Sequence, residues 1–386
     1  MPITTNLHKF LFIAGVSIAL GGCGSSSNDT PTPIPTPPPQ EIDYQLVLNN
    51  AVNAGIPGVA LYIDGQTKQF SGSAGVSDLE TLAPMQTYDL MPTGSAGKKA
   101  TALLAAMLHN EGLLNIDDTI DTWLPESLLN QIQYSESMTL RQLLNHTAGI
   151  FDYLDDSVSG MWFESIMSDP LSLKTDEYAL QFALNKPAYF EPGESFRYSN
   201  TGYLLAGLIM DQVLGEHHSV AMRNRIFVPL GMNNTYYNGV EKELGTIISG
   251  YLEIDGELLN SKPAYENIGV ADAPLVSTVE DMSVLLKSII TDYSVIDDDI
   301  RELLLGEESM VQTSNAAQYG LGLFKEQGNG QTLYYHAGED PGYHTENLYF
   351  AESDTSVTLF VNCTNFEPCT SQTAGLIQTV VNSLIE

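Results

Sequence analysis

The residues with the clearest chemical potential are Ser95 and Lys98, in the run Met91-Pro92-Thr93-Gly94-Ser95-Ala96-Gly97-Lys98-Lys99. A serine hydroxyl is a poor nucleophile at neutral pH until a neighbouring group takes its proton. A lysine three residues further along a helix lies on the same face, within side-chain reach. The apolar run that follows (Ala100, Leu103, Leu104, Ala106, Met107) reads as a helix opening at this point. Its first turn would offer free N–H groups and partial positive charge to an oxyanion beside the serine. Together these residues suit acyl transfer. The spacing by itself is weak, because Ser-x-x-Lys arises by chance on solvated helices. Gly72-Ser73-Ala74-Gly75 repeats the same tetrapeptide with only Val76 after it and no helix signal. A chance lysine is less frequent than usual in a chain with 15 Lys plus Arg. Lys99 is also within helical reach of Ser95, and spacing does not choose between the two lysines.

A serine–lysine pair needs a group to shuttle the proton and donors for the oxyanion. A tyrosine whose pKa is lowered by nearby lysines can shuttle. Three Tyr-x-Asn triplets are present: Tyr198-Ser199-Asn200, Tyr236-Tyr237-Asn238 and Tyr265-Glu266-Asn267. Tyr198 stands out because a turn, Glu191-Pro192-Gly193-Glu194, precedes it and an apolar helix begins just after Asn200. The other two read as surface tyrosines.

The ordered set of motifs over residues 43 to 386 resembles the serine β-lactamases of the class C type and their relatives, the DD-peptidases, D-aminopeptidases and family VIII esterases. The matching stretches are Gly55-Ile56-Pro57-Gly58-Val59-Ala60, Gly94-Ser95-Ala96-Gly97-Lys98, Leu143-Leu144-Asn145-His146-Thr147-Ala148-Gly149 and Pro192-Gly193 with Phe196-Arg197-Tyr198-Ser199-Asn200. Pro229-Leu230-Gly231-Met232, Leu275-Val276-Ser277-Thr278, Tyr319-Gly320-Leu321-Gly322 and His336-Ala337-Gly338 with Pro341-Gly342 follow in family order. The resemblance implies Ser95 as nucleophile, Lys98 as its base partner and Tyr198 as the proton shuttle to the leaving group. It implies Asn200 as a hydrogen-bond partner of the acyl amide and the lysine, and His336-Ala337-Gly338 as the strand lining the cleft. The oxyanion hole would be the backbone N–H groups of Ser95 and Glu339. The reaction implied is formation and hydrolysis of an acyl-enzyme, with no metal or organic cofactor.

Where the class C enzymes carry Lys-Thr-Gly, this chain carries His336-Ala337-Gly338, followed by the acidic Glu339 and Asp340. A hydroxyl that would help hold a substrate carboxylate is missing, and the histidine is expected to be only partly charged near pH 7. Arg197 is the nearby candidate cation. Like charges disfavour a substrate carboxylate. Weak or no β-lactamase activity is therefore expected, with cell-wall or D-amino-acid peptides and carboxylic esters as the competing substrate classes. The competing class of function is a non-catalytic penicillin-binding or sensor protein of the same fold. His336, Glu339, Asp340 and His344 match no familiar metal-ligand spacing.

The elements that must position these residues are legible in outline. Tyr44 to Val52 reads as a helix closed by Gly55-Ile56-Pro57-Gly58, and Val59–Ile63 pairs with Lys68–Ser73 as a hairpin across Asp64-Gly65. Lys98 to about Leu214 is mostly helical, with Leu140–Leu144 expected to end at a glycine cap and Tyr203–Val213 as a second amphipathic helix. Strand signals return at Tyr319–Phe324, Leu333–His336, Asn347–Ala351 and Ser356–Asn362, and Leu376–Ile385 closes the chain as a helix. Strands at both ends imply one α/β (α+β) domain, a β-lactamase/transpeptidase-like fold by resemblance. Its antiparallel sheet is built from both chain ends with flanking helices, and a mostly helical lobe, about residues 100–240, is inserted.

The first 22 residues read as a signal peptide, with Lys9 before the short apolar stretch Phe10–Leu20. Leu20-Gly21-Gly22-Cys23 resembles the bacterial lipobox, which makes Cys23 a lipidation site. Gly24 after it resembles the pattern sent to the outer membrane, with the domain facing the periplasm. A Ser- and Pro-rich stretch through residue 42 would act as an extended tether. With Cys23 lipidated, Cys363 and Cys369 remain as a pair and are expected to form a small disulfide loop. The formal net charge of −33 argues against a nucleic-acid partner, since the phosphate backbone would be repelled. The partners left are a small-molecule or peptide substrate and the membrane, the latter through the lipid anchor. The oligomeric state is not fixed by sequence.

Overall fold

The computed structural model describes residues 42–291, 295–328 and 330–385. The signal peptide, Cys23 and nearly all of the tether lie outside the described residues.

Alternation of apolar residues along Gly58–Asp64 sets up the frame. Val59, Leu61 and Ile63 point to one side of the strand and Ala60 to the other, so both faces must be covered. The strand pairs antiparallel with Gln69–Gly75 on one side, in a hairpin with Asp64 opposite Gln69. On the other it pairs with Thr355–Val361, Val59 opposite Val361. From there the sheet runs on through Tyr343–Phe350, Gln331–Tyr335, Phe324–Gly328, Ala317–Tyr319 and Val311–Gln312. The short strand Gly338–Asp340 pairs beside Tyr343–Phe350. All these pairings are antiparallel, and among the described residues the sheet has nine strands. It is built from both ends of the chain.

The first and last helices among the described residues, Tyr44–Asn53 and Cys369–Ile385, cover one face through Leu48, Leu376, Val380 and Val381. Cys363 and Cys369 are joined by a disulfide at the entry to the last helix. The larger core lies on the other face, around Lys98–Asn110. Every residue of that helix from Lys98 to Leu108 is buried, as expected of an apolar helix running through a core. Thr201–Leu214 packs on it and is itself buried from Thr201 to Met210 except for the partly buried Leu208. Between residues 98 and 235 the described chain carries helices and turns and no strand.

Three local expectations are corrected. Tyr319–Phe324 is not one strand: pairing stops at Tyr319, the chain turns through Gly320–Leu323, and a new strand starts at Phe324. The turn is forced by close packing, because a side chain on Gly322 (φ +78°) would sit 2.8 Å from the Cα of Lys99. The helix Leu140–Leu144 is not closed by glycine. The left-handed residue after it is His146, at φ 62°. Tyr236 and Tyr265 are buried in the main core rather than on the surface.

Candidate active site

Gly94–Gly97 forms a tight 3-10 turn that hands over to the Lys98–Asn110 helix. Gly94 adopts φ 52°, and a side chain there would meet the backbone N of Glu339 at 2.8 Å. A side chain on Gly338 would strike the Thr93 carbonyl oxygen at 1.9 Å. Only glycine at both positions lets the strand Gly338–Asp340 lie directly against the turn that carries Ser95. The backbone amides of Ser95 and Glu339 are thereby brought to the same small region.

Lys98 is fully buried and its ammonium meets three acceptors: Ser95 Oγ at 3.0 Å, Asn200 Oδ1 at 2.7 Å and the Asp272 backbone oxygen at 2.8 Å. That uses all three of its N–H donors. The Asp272 carboxylate lies 3.7 Å away as an ion-pair partner. Lys99 turns elsewhere and donates to Ala96 O at 2.6 Å. Geometry thus separates the two lysines that spacing could not. Asn200, whose amide donates to Asp152 at 3.1 Å, is locked with its oxygen toward Lys98.

Tyr198 forms the wall opposite. Its hydroxyl is buried without a partner in hydrogen-bond geometry, and the Lys98 Nζ lies 5.2 Å from its ring centroid. Burial raises the phenol's pKa, and the Lys98 charge opposes that rise. His146 holds the tyrosine's loop at three points. Its carbonyl accepts from Arg197 N at 3.0 Å, its Nδ1 accepts from Ser199 N at 3.2 Å, and its ring packs on the Tyr198 ring at 4.1 Å. Burial, then the Lys98 charge, push the His146 pKa well below the usual range, so this ring is neutral. His146, Asp152 and Asp272 were missed in the sequence as parts of the site. The motif around His146 was visible, whereas an isolated aspartate in a loop gives no pattern.

A family profile described as Beta-lactamase matches residues 45–381. The chain belongs to the Beta-lactamase family. It is 32% identical over 178 residues to Penicillin-binding protein 4* of Bacillus subtilis, covering 46% of this chain and 37% of that one. The chain thus spans little more than a third of that relative's length. A D-stereospecific amidohydrolase from Streptomyces superposes with a TM-score of 0.70 at 25% identity, over 83% of this chain and 93% of the other. A penicillin-binding protein from Bacillus halodurans superposes with a TM-score of 0.75 at 21% identity, over 89% of this chain and all of the other. The latter likeness is one of fold.

Within this β-lactamase-family frame, the third side of the groove departs from expectation. His336 is buried, its Nδ1–H donates to Ala337 O at 2.7 Å and its Nε2 faces the Tyr319 hydroxyl at 3.2 Å. Burial and the adjacent Lys98 and Lys99 hold its pKa well below 6.5. It is neutral at pH 7, not partly charged. Asp340 is pushed up to about 7, chiefly by burial and then by the nearby Asp272. Arg197 stacks on the Tyr189 ring at 3.6 Å and pairs with Asp155 at 3.4 Å, and it makes no polar contact with Ser95 or Lys98 among the described residues. The Ala337 carbonyl oxygen is engaged by His336, and Gly338 packs against the Thr93 carbonyl. His344 sits between Glu346 at 3.0 Å and Glu339 at 3.8 Å. Burial alone would lower its pKa, but the two carboxylates outweigh burial and raise it to about 10. A protonated imidazole is no metal ligand. Asp211, His217 and His218 cluster elsewhere, and both His218 nitrogens are already engaged, by Asp211 and by Tyr237.

Proposed function

We propose that the protein is a serine hydrolase acting on amides or esters through an acyl-enzyme on Ser95. The observation that carries this reading is the buried Lys98 ammonium, which contacts Ser95 Oγ and Asn200 Oδ1 beneath the unpartnered Tyr198 hydroxyl. Ser95 Oγ attacks the substrate carbonyl carbon. Its proton passes to the Lys98–Tyr198 pair, which has released one proton beforehand. The carbonyl oxygen becomes an oxyanion facing the N–H groups of Ser95 and Glu339. The C–N or C–O bond then breaks, and Tyr198 returns the proton to the leaving amine or alcohol. Water repeats the attack on the Ser95 ester and releases the acid. The amidohydrolase likeness favours D-amino-acid or cell-wall amides among the substrates. Glu339 and, when ionised, Asp340 follow the strand where a β-lactam or a peptide C-terminus would bring its carboxylate, and their charge disfavours both.

The test is a fluorophosphonate serine probe followed over time, with p-nitrophenyl esters, D-amino acid amides, D-Ala-D-Ala peptides and nitrocefin run against wild type and Ser95→Ala. Labelling and turnover that drop by at least about 10^4-fold in the variant support the assignment. Absence of labelling makes the protein a binder, and a permanent adduct without turnover makes it a sensor. Rapid nitrocefin hydrolysis would overturn the expected poor β-lactamase activity.

The protein is further proposed to work in the bacterial cell envelope, anchored by a lipid on Cys23 at the outer membrane and facing the periplasm. The Leu20-Gly21-Gly22-Cys23 pattern supports this, and the Cys363–Cys369 disulfide fits an oxidising compartment. Metabolic labelling with an alkyne fatty acid, lost in Cys23→Ala, is the check.

A further inference from the structure

The Lys98 ammonium has more negative charge around it than its hydrogen bonds require. Its three N–H donors are satisfied by neutral oxygens of Ser95, Asn200 and the Asp272 backbone. The Asp272 carboxylate at 3.7 Å is a fourth contact, too long for a hydrogen bond and close enough for a strong charge interaction in a site shielded from water. Asp272 is 2% exposed, and its carboxylate is held by the Tyr153 hydroxyl, 3.2 Å from both oxygens. Tyr153 in turn is fixed by its backbone N–H, which donates to Thr201 Oγ1 at 2.8 Å, at the start of the helix that follows Asn200. Tyr153, Asp272, Lys98 and Ser95 form one continuous chain of contacts.

We infer that Asp272, braced by Tyr153, is a positioning residue for Lys98: its carboxylate holds the proton on the lysine and so sets the pH above which Ser95 becomes reactive. The inference rests on the serine hydrolase reading and deepens it. A buried carboxylate beside an ammonium stabilises the charged pair, and removing one partner leaves the other charge unbalanced. Asp272 therefore opposes the step in which Lys98 gives up its proton to serve as a base. It also keeps the Nζ centred between Ser95 and Asn200.

Other charges face the same spot. Burial raises the Asp272 pKa, and the Lys98 charge and the Tyr153 hydrogen bond oppose that rise. Asp340, raised in part by Asp272, is a further acid in the same region, and His146 and His336 face Lys98 as neutral rings. Asp152 and Asp176 lie near enough to feel Asp272 as a like charge. Tyr198, Tyr237 and Tyr265 also sense it and are kept neutral by burial. Among these carboxylates only Asp272 is within ion-pair distance of Lys98 in the described residues.

The experiment compares the pH dependence of second-order fluorophosphonate labelling of Ser95, and of kcat/KM on a neutral ester, in wild type, Asp272→Asn, Tyr153→Phe and Asp340→Asn. Asparagine keeps the shape at 272 and removes the charge. The expected result is an acid-side limb displaced to lower pH by about one to two units in D272N. KM for the neutral ester stays within about twofold. Y153F moves the limb in the same direction by less, because the carboxylate loses its brace but keeps its charge. D340N moves it least. Superimposable limbs in wild type and D272N, or a shift to higher pH, would overturn the inference. Should D272N fail to fold by circular dichroism, an unmoved limb in Y153F does the same. Loss of labelling in wild type itself is a different outcome, since it defeats the hydrolase assignment before the role of Asp272 arises.

Discussion

Lys98 and Lys99 are adjacent, both fully buried, and lie in different electrostatic surroundings. Lys98 is enclosed by oxygen atoms and a carboxylate, while the buried Lys99 ammonium donates to one backbone carbonyl, that of Ala96. Burial lowers the Lys99 pKa to about 7. Its folded-state value lies below its unfolded one, so the unfolded chain binds the extra proton between about pH 7 and 10.5. The cost of burying this lysine is full below pH 7 and fades as pH rises through that window. Lys99→Met should raise stability by on the order of 1–3 kcal/mol at pH 6 and by almost nothing near pH 10, read by urea unfolding at both pH values. Lys98→Met should lower serine-probe labelling by at least about 10^3-fold at pH 7. If the two substitutions behaved alike in the labelling assay, the division of roles would be wrong. Sequence could not make this division because i+3 and i+4 both fall on the serine's face. What decides it comes from Asn200 and Asp272, which are 102 and 174 residues away.

At the scale of elements, what was readable followed from periodicity and turn chemistry. The opening hairpin, the helix Tyr44–Asn53 and the two helices that carry Lys98 and follow Asn200 stand where apolar spacing puts them, whereas the last helix starts at Cys369, well before the apolar run from Leu376. What was not readable came from contacts between distant segments. The apolar run Tyr319–Phe324 continues a strand pattern, yet it must bend where Gly322 backs onto Lys99. His146 takes the left-handed position because its ring is gripped between Tyr198, Tyr203 and Tyr319. The strand carrying Glu339 depends on a further cross-strand device. Glu339 pairs with His344 in the register, and Glu346 holds that histidine from the other side. The His344 pKa is raised in the folded state to about 10, so its stabilisation is complete below the unfolded value near 6.5 and is lost as pH climbs to 10. His344→Gln should cost on the order of 3 kcal/mol at pH 6, and the difference from wild type should close toward pH 10. Guanidinium melts at pH 6, 8 and 10 check this. A deficit that stayed constant with pH would mean that packing, not the charge clamp, holds the strand. The mirror-image trends expected for Lys99 and His344 make each a control for the other.

At the scale of the whole molecule, the excess of acid over base is the dominant physical fact. With 48 Asp and Glu against 15 Lys and Arg, most carboxylates have no cation to pair with. The pairs that do form are mostly at the surface, as in Arg225–Glu111, Lys287–Asp64 and Arg301–Asp298, where each contributes little. Folding draws the unpaired charges together, so self-repulsion works against the native state and added salt relieves it. The screening length falls from about 30 Å at 0.01 M salt to about 3 Å at 1 M, which spans the distances between neighbouring surface carboxylates. The melting temperature should therefore climb steadily from about 0.01 M to 1 M sodium chloride. The buried contacts around Lys98 are screened far less, so the acid-side limb of serine labelling should move little over the same range. Sodium chloride is the titrant of choice because sulfate would also strengthen apolar burial and confuse the two effects. A melting temperature indifferent to sodium chloride would show that the acidic surface is already compensated, and net charge would then cease to explain how this fold responds to its solvent.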